Sequence, residues 1–171
     1  MSARPLAVIV MGVTGSGKTT VGRLLAERMN CGFFDADDFH SPENVEKMRS
    51  GQPLNDSDRL PWLEKLRELT NNEVQAGHSL VLACSALRRQ YREALMPPAA
   101  RVLFVYLRIS PETSRARLES RPGHYMPAAL VRSQFETLEE PEHAIVVDGE
   151  LSLPEVVSVA MSQLSGEIIR L

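Results

Sequence analysis

The amino-acid sequence predicts an open α/β sandwich, a five-stranded parallel sheet with helices on both faces and right-handed connections. Five short apolar stretches rich in β-branched residues recur along the chain, near-continuous in hydrophobicity as strands covered on both faces are. The connectors between them are long enough for crossover helices, and several carry apolar residues at helical spacing. The 171 residues fit one domain. With 43% hydrophobic and 24% charged residues, a disordered, collagen-like or disulfide-scaffold chain is excluded.

The first strand is expected at Leu6 to Met11, and a helix follows over Lys18 to Met29, with Val21, Leu24, Leu25 and Arg28 at helical spacing. Phe33 to Asp35 reads as the second strand. Ser41-Pro42-Glu43 opens a helix with a hydroxyl N-cap and proline at N1, and Gly51-Gln52-Pro53 breaks it. Leu60, Leu63, Leu66 and Leu69 mark the buried face of the next helix. Leu80 to Cys84, Val102 to Leu107 and Ala144 to Val147 read as the remaining strands. Pro154 to Ile169 closes the chain as a helix with Val156, Val157, Ala160 and Leu164 at helical spacing. Two stretches fit this scheme poorly: the polar insertion over about 38–62, and the proline-bounded basic run Arg121-Pro122-Gly123-His124-Tyr125-Met126-Pro127. In a compact domain such insertions serve as binding loops or lids, here a substrate-binding insertion and a lid over about 117–127.

Nineteen basic against 22 acidic residues leave a net charge of -3, which removes a global electrostatic case for nucleic acid or an anionic membrane. The longest early apolar run, Leu6 to Met11, is too short for a membrane span or a signal segment, so no export is implied. Cys31 and Cys84 sit at the edges of apolar runs without a C-x-x-C or Cys/His cluster. They read as buried thiols of a reducing, cytoplasmic compartment rather than as a disulfide or zinc site.

Directly after the first strand stands Gly12-Val13-Thr14-Gly15-Ser16-Gly17-Lys18-Thr19, followed by Thr20, a match to G-x-x-x-x-G-K-[ST]. Glycines let the backbone turn its N–H groups onto phosphate oxygens, and the following helix offers its positive N-terminus. Lys18 neutralises charge and the Thr19 hydroxyl suits magnesium. The motif makes the chain an ATP-binding, Mg2+-using candidate of the P-loop NTPase fold. A GTPase would need D-x-x-G and N-K-x-D strings, and neither occurs. A motor ATPase would need a Walker B acid on a strand beside the loop. The string Ala144-Ile145-Val146-Val147-Asp148-Gly149-Glu150 imitates one, but on the last strand, expected far from the metal.

The acids that fit phosphoryl transfer are Asp35 and Asp37, in Asp35-Ala36-Asp37-Asp38 at the carboxyl end of the second strand, where strand alternation sends both to one side. One carboxylate can hold a metal-bound water while the other accepts the proton of an attacking hydroxyl. Of the arginines, Arg59, Arg88 and Arg121 sit beside strand ends or loops, where guanidinium forks suit carboxylates and phosphates.

With these residues assembled, the chain resembles bacterial and eukaryotic gluconokinases, small P-loop kinases related to shikimate and nucleoside monophosphate kinases. The likeness runs nearly end to end. It rests on Asp35-Ala36-Asp37-Asp38-Phe39-His40, Asn55-Asp56-Ser57-Asp58-Arg59-Leu60-Pro61-Trp62-Leu63, Ala83-Cys84-Ser85-Ala86-Leu87-Arg88-Arg89, Gly123-His124-Tyr125-Met126 and Ser133-Gln134-Phe135-Glu136-Thr137-Leu138-Glu139, beside the phosphate loop. The resemblance implies ATP-dependent phosphorylation of D-gluconate at its terminal hydroxyl, giving 6-phospho-D-gluconate. It implies Asp37 as base, Asp35 near magnesium, and His40, Arg59, Ser85, Arg88 and Gln134 around the sugar acid, with Arg59 or Arg88 pairing its carboxylate. Arg121 would reach the transferring phosphate, Arg117 would lie by the adenine, and a homodimer is expected by analogy. Pro122 stands in the lid's first turn where related chains often carry a longer polar residue. A nucleotide acceptor would want an aromatic slot, for which 5% aromatic residues leave little material. The competing expectations are a kinase of another small sugar acid or of a shikimate-like acceptor, and a non-catalytic nucleotide-binding regulator; the paired acids speak against the last.

Overall fold

A computed structural model of the chain describes residues 4–123 and 128–169. Five parallel strands form one sheet: β1 (Leu6–Met11), β2 (Gly32–Asp35), β3 (Leu80–Ala83), β4 (Arg101–Arg108) and β5 (Ile145–Asp148), in the order β2-β3-β1-β4-β5. The helices are α1 (Lys18–Met29), α2 (Pro42–Arg49), α3 (Asp56–Gln75), α4 (Arg89–Ala94), α5 (Pro111–Glu119), α6 (Ala128–Thr137) and α7 (Leu153–Ile169).

Alternation along β1 builds both layers of the core. Leu6, Val8 and Val10 pack with Val21 and Leu25 of α1 and with Val157, Ala160 and Leu164 of α7. Ala7, Ile9 and Met11 point the other way, onto Trp62, Leu63 and Leu66 of α3 and Tyr91 and Leu95 at α4. All six β1 side chains are buried, as a central parallel strand requires. Topology then places the functional residues. The strand order reverses beside β1, so the loop leaving β1 and the turn leaving β2 open on the same carboxyl edge of the sheet, where ligands of such folds bind. β5 is the far edge strand, and its Asp148 carboxylate is occupied locally by the Glu150 N–H at 2.9 Å.

Three expectations are corrected. The helix expected from Leu60 begins a turn earlier. Asn55 caps it by accepting from Asp58 N–H at 2.8 Å, and the Asp58 carboxylate accepts in return from Asn55 N–H at 2.9 Å. Leu60 is 55% exposed and does not join the buried face, which Trp62, Leu63, Leu66 and Thr70 form instead. Pro61 lies inside α3, where a proline forfeits a backbone hydrogen bond; the reciprocal cap before it and the apolar face after it hold the helix through that position. Strand ends shift slightly as well. Cys84 follows β3, Ala144 precedes β5, and Asp148 is paired with Arg108 inside the sheet.

Candidate active site

The phosphate loop leaves β1 with Gly12 at φ 148° and Gly15 at φ 77°. A Cβ at Gly12 would come within 2.8 Å of both the Leu107 carbonyl and Ser16 Oγ, and one at Gly15 within 3.0 Å of the Ser114 carbonyl. Backbone conformation and space therefore both demand glycine there. Side chains from two later helices grip the loop. Ser114 Oγ donates to the Thr14 carbonyl at 2.8 Å, Arg117 donates to the Gly15 carbonyl at 3.1 Å and to the Gly149 carbonyl at 2.7 Å, and Gln134 Oε1 accepts the Thr14 N–H at 2.7 Å. Lys18 Nζ donates to the Val13 carbonyl at 3.0 Å. Burial pushes the Lys18 pKa below its ordinary value, and the Asp37 carboxylate opposes that shift most strongly.

A cavity of about 640 Å³ opens in front of this loop, and Thr14, Gly15, Gly17, Lys18, Thr19 and Thr20 line its phosphate side. Gly12, Val13 and Ser16 lie behind that surface, with Ser16 Oγ buried and without a hydrogen-bond partner. Asp35 ends β2 facing the loop, and its Oδ2 accepts from Thr19 Oγ1 at 2.6 Å while its Oδ1 accepts the Asp37 N–H at 3.1 Å. Asp37 therefore enters the cavity from a 3-10 turn (Ala36–Phe39) and not by strand alternation. Trp62 Nε1 donates to the Ala36 carbonyl at 2.7 Å and pins that turn to α3. The Asp37 side chain stands 87% exposed on the cavity floor, yet the surrounding walls strip enough hydration to raise its pKa. Asp35 adds to the rise and Lys18 opposes it.

The opposite wall combines three elements. The His40 ring is stacked on Trp62 at 4.2 Å, its side chain only 4% exposed, with Nδ1 buried and without a hydrogen-bond partner. Burial first, then the charge of Arg59, lowers its pKa to about 4. Arg59 lines the cavity, donating to the Leu54 carbonyl and, at 3.3 Å, to Tyr91 Oη. Ser85, Gln134 and Arg121 also line it, the last close enough to depress the Lys18 pKa. Arg88 does not line it, and its guanidinium lies 3.6 Å from Asp56 instead. The expected lid falls partly outside the described residues: Arg121 to Gly123 are exposed, whereas His124, Tyr125, Met126 and Pro127 are not described.

Sequence reasoning assigned no role to Ser114, Tyr91 or Arg92. The buried Arg92 guanidinium donates to the Ala86 and Leu87 carbonyls at 2.9 and 3.2 Å, supporting Ala86 at φ 45° where the chain leaves β3. A larger hollow of about 880 Å³ lies at the other end of β2, among Arg23, Glu27, Cys31 and His78, and holds none of the motif residues. Among the described residues no helix is long and apolar enough to cross a membrane, and no three His, Cys, Asp or Glu side chains group as a metal cluster.

A family model for shikimate kinase matches residues 14–145, and a shikimate kinase from Aquifex aeolicus shares the fold at a TM-score of 0.62 and 21% identity over 95% of this chain and 98% of that one. Fold and site together define a small P-loop kinase with an alcohol acceptor. A gluconokinase of Gluconobacter oxydans is 47% identical over 92% of this chain and 89% of its own, and a probable gluconokinase of Xenopus tropicalis is 42% identical over 96% and 94%. A crystal structure of a gluconokinase from Sinorhizobium meliloti superposes at a TM-score of 0.87, 38% identical over 98% of this chain and 95% of that one. The chain belongs to the gluconokinase family.

Proposed function

We propose that the protein phosphorylates D-gluconate with ATP, yielding 6-phospho-D-gluconate. The observation that carries the reading is the cavity in which a proton acceptor, a neutral imidazole and a guanidinium (Asp37, His40 and Arg59) face the phosphate loop across one space. Gluconate is a small monoanion with a hydroxyl on each carbon except the carboxylate carbon, and it wants one cation and several neutral polar partners. Among the described residues the two aromatic rings of the wall are covered, Trp62 by His40 and Tyr91 by Arg59 and Arg88, so neither is an open slot for a nucleobase acceptor.

In this reading the loop N–H groups and Lys18 hold the ATP phosphates and offset the charge that builds between them in the transition state. Asp37 orients the acceptor hydroxyl and takes its proton as the hydroxyl oxygen bonds to the γ-phosphorus and the bond from that phosphorus to the β,γ-bridging oxygen breaks, releasing ADP. A raised pKa brings that carboxylate closer to the basicity its task asks for. Arg59 pairs the sugar-acid carboxylate, with His40, Ser85 and Gln134 beside the polyol. Arg88 stands behind Arg59, Arg121 reaches over the transferring phosphate, and Arg117 borders the adenine. Thr19 Oγ1 and Asp35 Oδ2, 2.6 Å apart at the loop, are hard oxygen donors of the kind magnesium takes, and would hold it directly or through water. When bound, the metal supplies positive charge to the phosphate oxygens. A homodimer and a cytoplasmic location belong to the same proposal.

The test is ADP release by the purified chain with ATP alone and with D-gluconate, other aldonic acids or shikimate. Turnover that requires gluconate is the expected result. Turnover with shikimate but not gluconate would overturn the acceptor assignment, and the absence of turnover with any acceptor would overturn the enzyme reading.

A further inference from the structure

Arg59 differs from its neighbouring arginine in one respect. Its guanidinium donates only to neutral oxygens, the Leu54 carbonyl and Tyr91 Oη, and among the described residues it makes no ion pair. Arg88, close by, lies 3.6 Å from the Asp56 carboxylate. One aromatic ring separates these two fates. Tyr91 is buried, with the Arg59 guanidinium 5.3 Å and the Arg88 guanidinium 5.9 Å from its ring centroid. Its hydroxyl donates to Asp56 Oδ1 at 2.5 Å, and Asp56 Oδ2 also accepts from Gln90 at 3.2 Å.

A hydroxyl has one proton and two lone pairs. The Tyr91 hydroxyl spends its one hydrogen on Asp56, so the oxygen turns its lone pairs outward and becomes the acceptor that Arg59 needs. The same carboxylate draws Arg88 away. We propose that Asp56 and Tyr91 are positioning residues for the acceptor's acid group: Tyr91 fixes the Arg59 fork through ring and hydroxyl, and Asp56 fixes the hydroxyl and engages Arg88. Arg59 is thereby left as a cation without an ion pair among the described residues, facing the cavity from the acceptor wall. A long side chain ordered before the ligand arrives loses less rotamer freedom on binding, so the clamp acts on affinity for the carboxylate and not on the chemical step. The inference rests on the gluconate reading above and deepens it.

The test is steady-state kinetics of the full chain with Tyr91→Phe, Asp56→Asn, Arg59→Ala and the double variant Tyr91→Phe/Arg59→Ala, varying gluconate and ATP separately, with thermal midpoints alongside. Tyr91→Phe keeps the ring and removes only the hydroxyl. The expected result is a gluconate KM raised about fivefold in Tyr91→Phe and in Asp56→Asn, the effect of about one hydrogen bond, with kcat and the ATP KM within about twofold of wild type. In the Arg59→Ala background, Tyr91→Phe should add nothing, because both act through one guanidinium. A lowered thermal midpoint with an unchanged gluconate KM would reduce the network to a brace between α3 and α4, and would overturn the proposal. So would an equal rise of both KM values, or a full additional effect in the Arg59→Ala background. Should Tyr91→Phe fail to fold, the exposed Asp56→Asn decides by the same KM comparison. Wild-type protein inactive on gluconate would overturn the acceptor assignment and this inference with it, an outcome distinct from an active wild type with indifferent variants.

Discussion

The phosphate loop and the acceptor wall face each other across one cavity, but they are built in opposite ways. The loop is one contiguous run of sequence with conformation set by glycines at φ 148°, 77° and 94°, and in the proposed reading its working atoms are mainly backbone N–H groups. The wall has no contiguous sequence: His40 follows β2, Arg59 belongs to α3, Ser85 follows β3 and Tyr91 belongs to α4. Backbone placed by local geometry is rigid and indifferent to most side-chain changes, whereas a wall of side chains can be re-cut one residue at a time. The loop side should therefore answer substitution in the chemical step, and the wall side in acceptor affinity and in stability.

The largest expected effect lies on the loop side. Lys18→Ala should lower kcat by about a thousandfold or more with little change in thermal midpoint, because the ammonium acts on charge that is greatest in the transition state. Circular dichroism beside the ADP-release assay checks this, and near-wild-type turnover in a folded variant would break the comparison at its firmer end.

Asp37 and Asp35 stand at the seam of the two regions, and the pair sharpens the division between them. Asp37→Asn should lower kcat by on the order of a hundred- to a thousandfold with modest change in either KM, since an amide of the same shape cannot take the hydroxyl proton. Asp35→Asn should instead raise the apparent ATP KM and recover in part as magnesium is increased. A magnesium series on both variants decides. Rescue of Asp37→Asn but not of Asp35→Asn would reverse the two roles.

Arg59→Ala probes the wall alone. A charge-assisted pair to a carboxylate contributes about 1.5–3 kcal/mol, so the gluconate KM should rise about ten- to a hundredfold while the ATP KM stays put. Equal weakening of both substrates would remove Arg59 from the acid end.

The same contrast governs what was legible in the amino-acid sequence. The loop, the five strands and the acids after β2 follow from local rules: glycine where φ is positive, apolar runs for strands buried on both faces, carboxylates at a strand's carboxyl end. The start of α3 is hidden in a polar stretch, because the Asn55–Asp58 capping box that begins it carries no apolar periodicity of its own. Tyr91 and Arg92 could not be singled out, because an aromatic and an arginine on a short helix acquire roles only when α4 packs against α3 and the exit of β3. Arg88 looked equal to Arg59 for the same reason; what separates them is a carboxylate, Asp56, from another element. Gln134, expected beside the acceptor, holds the Thr14 N–H of the loop, a contact across 120 residues that spacing alone does not reveal.

The smallest expected effect concerns stability, and it lies in the wall at His40. Its ring is sealed by Trp62 on one face, Arg59 charges its surroundings, and Asp37 Oδ1 at 3.9 Å is at the limit of an ion pair. Burial and Arg59 prevail over that distant carboxylate, so the folded pKa is about 4 against an ordinary 6.5. A histidine depressed in the folded state contributes stability that is fully present above the unfolded pKa. That contribution is lost as pH falls from about 6.5 toward about 4, because there the unfolded chain binds a proton that the folded chain refuses. The slope grows from about half of 1.4 kcal/mol per pH unit at roughly pH 6.5, where half of the unfolded chains carry the proton, toward the full value near pH 5, so wild type should lose about 1.5 kcal/mol from this residue across that window. His40→Gln cannot titrate. Urea unfolding of both proteins across that window should give a wild-type free energy that falls more steeply than the variant's, with the carboxylates common to both cancelling in the difference. Parallel slopes would mean that His40 takes up its proton in the folded wall, and that Asp37 governs the imidazole more strongly than burial does.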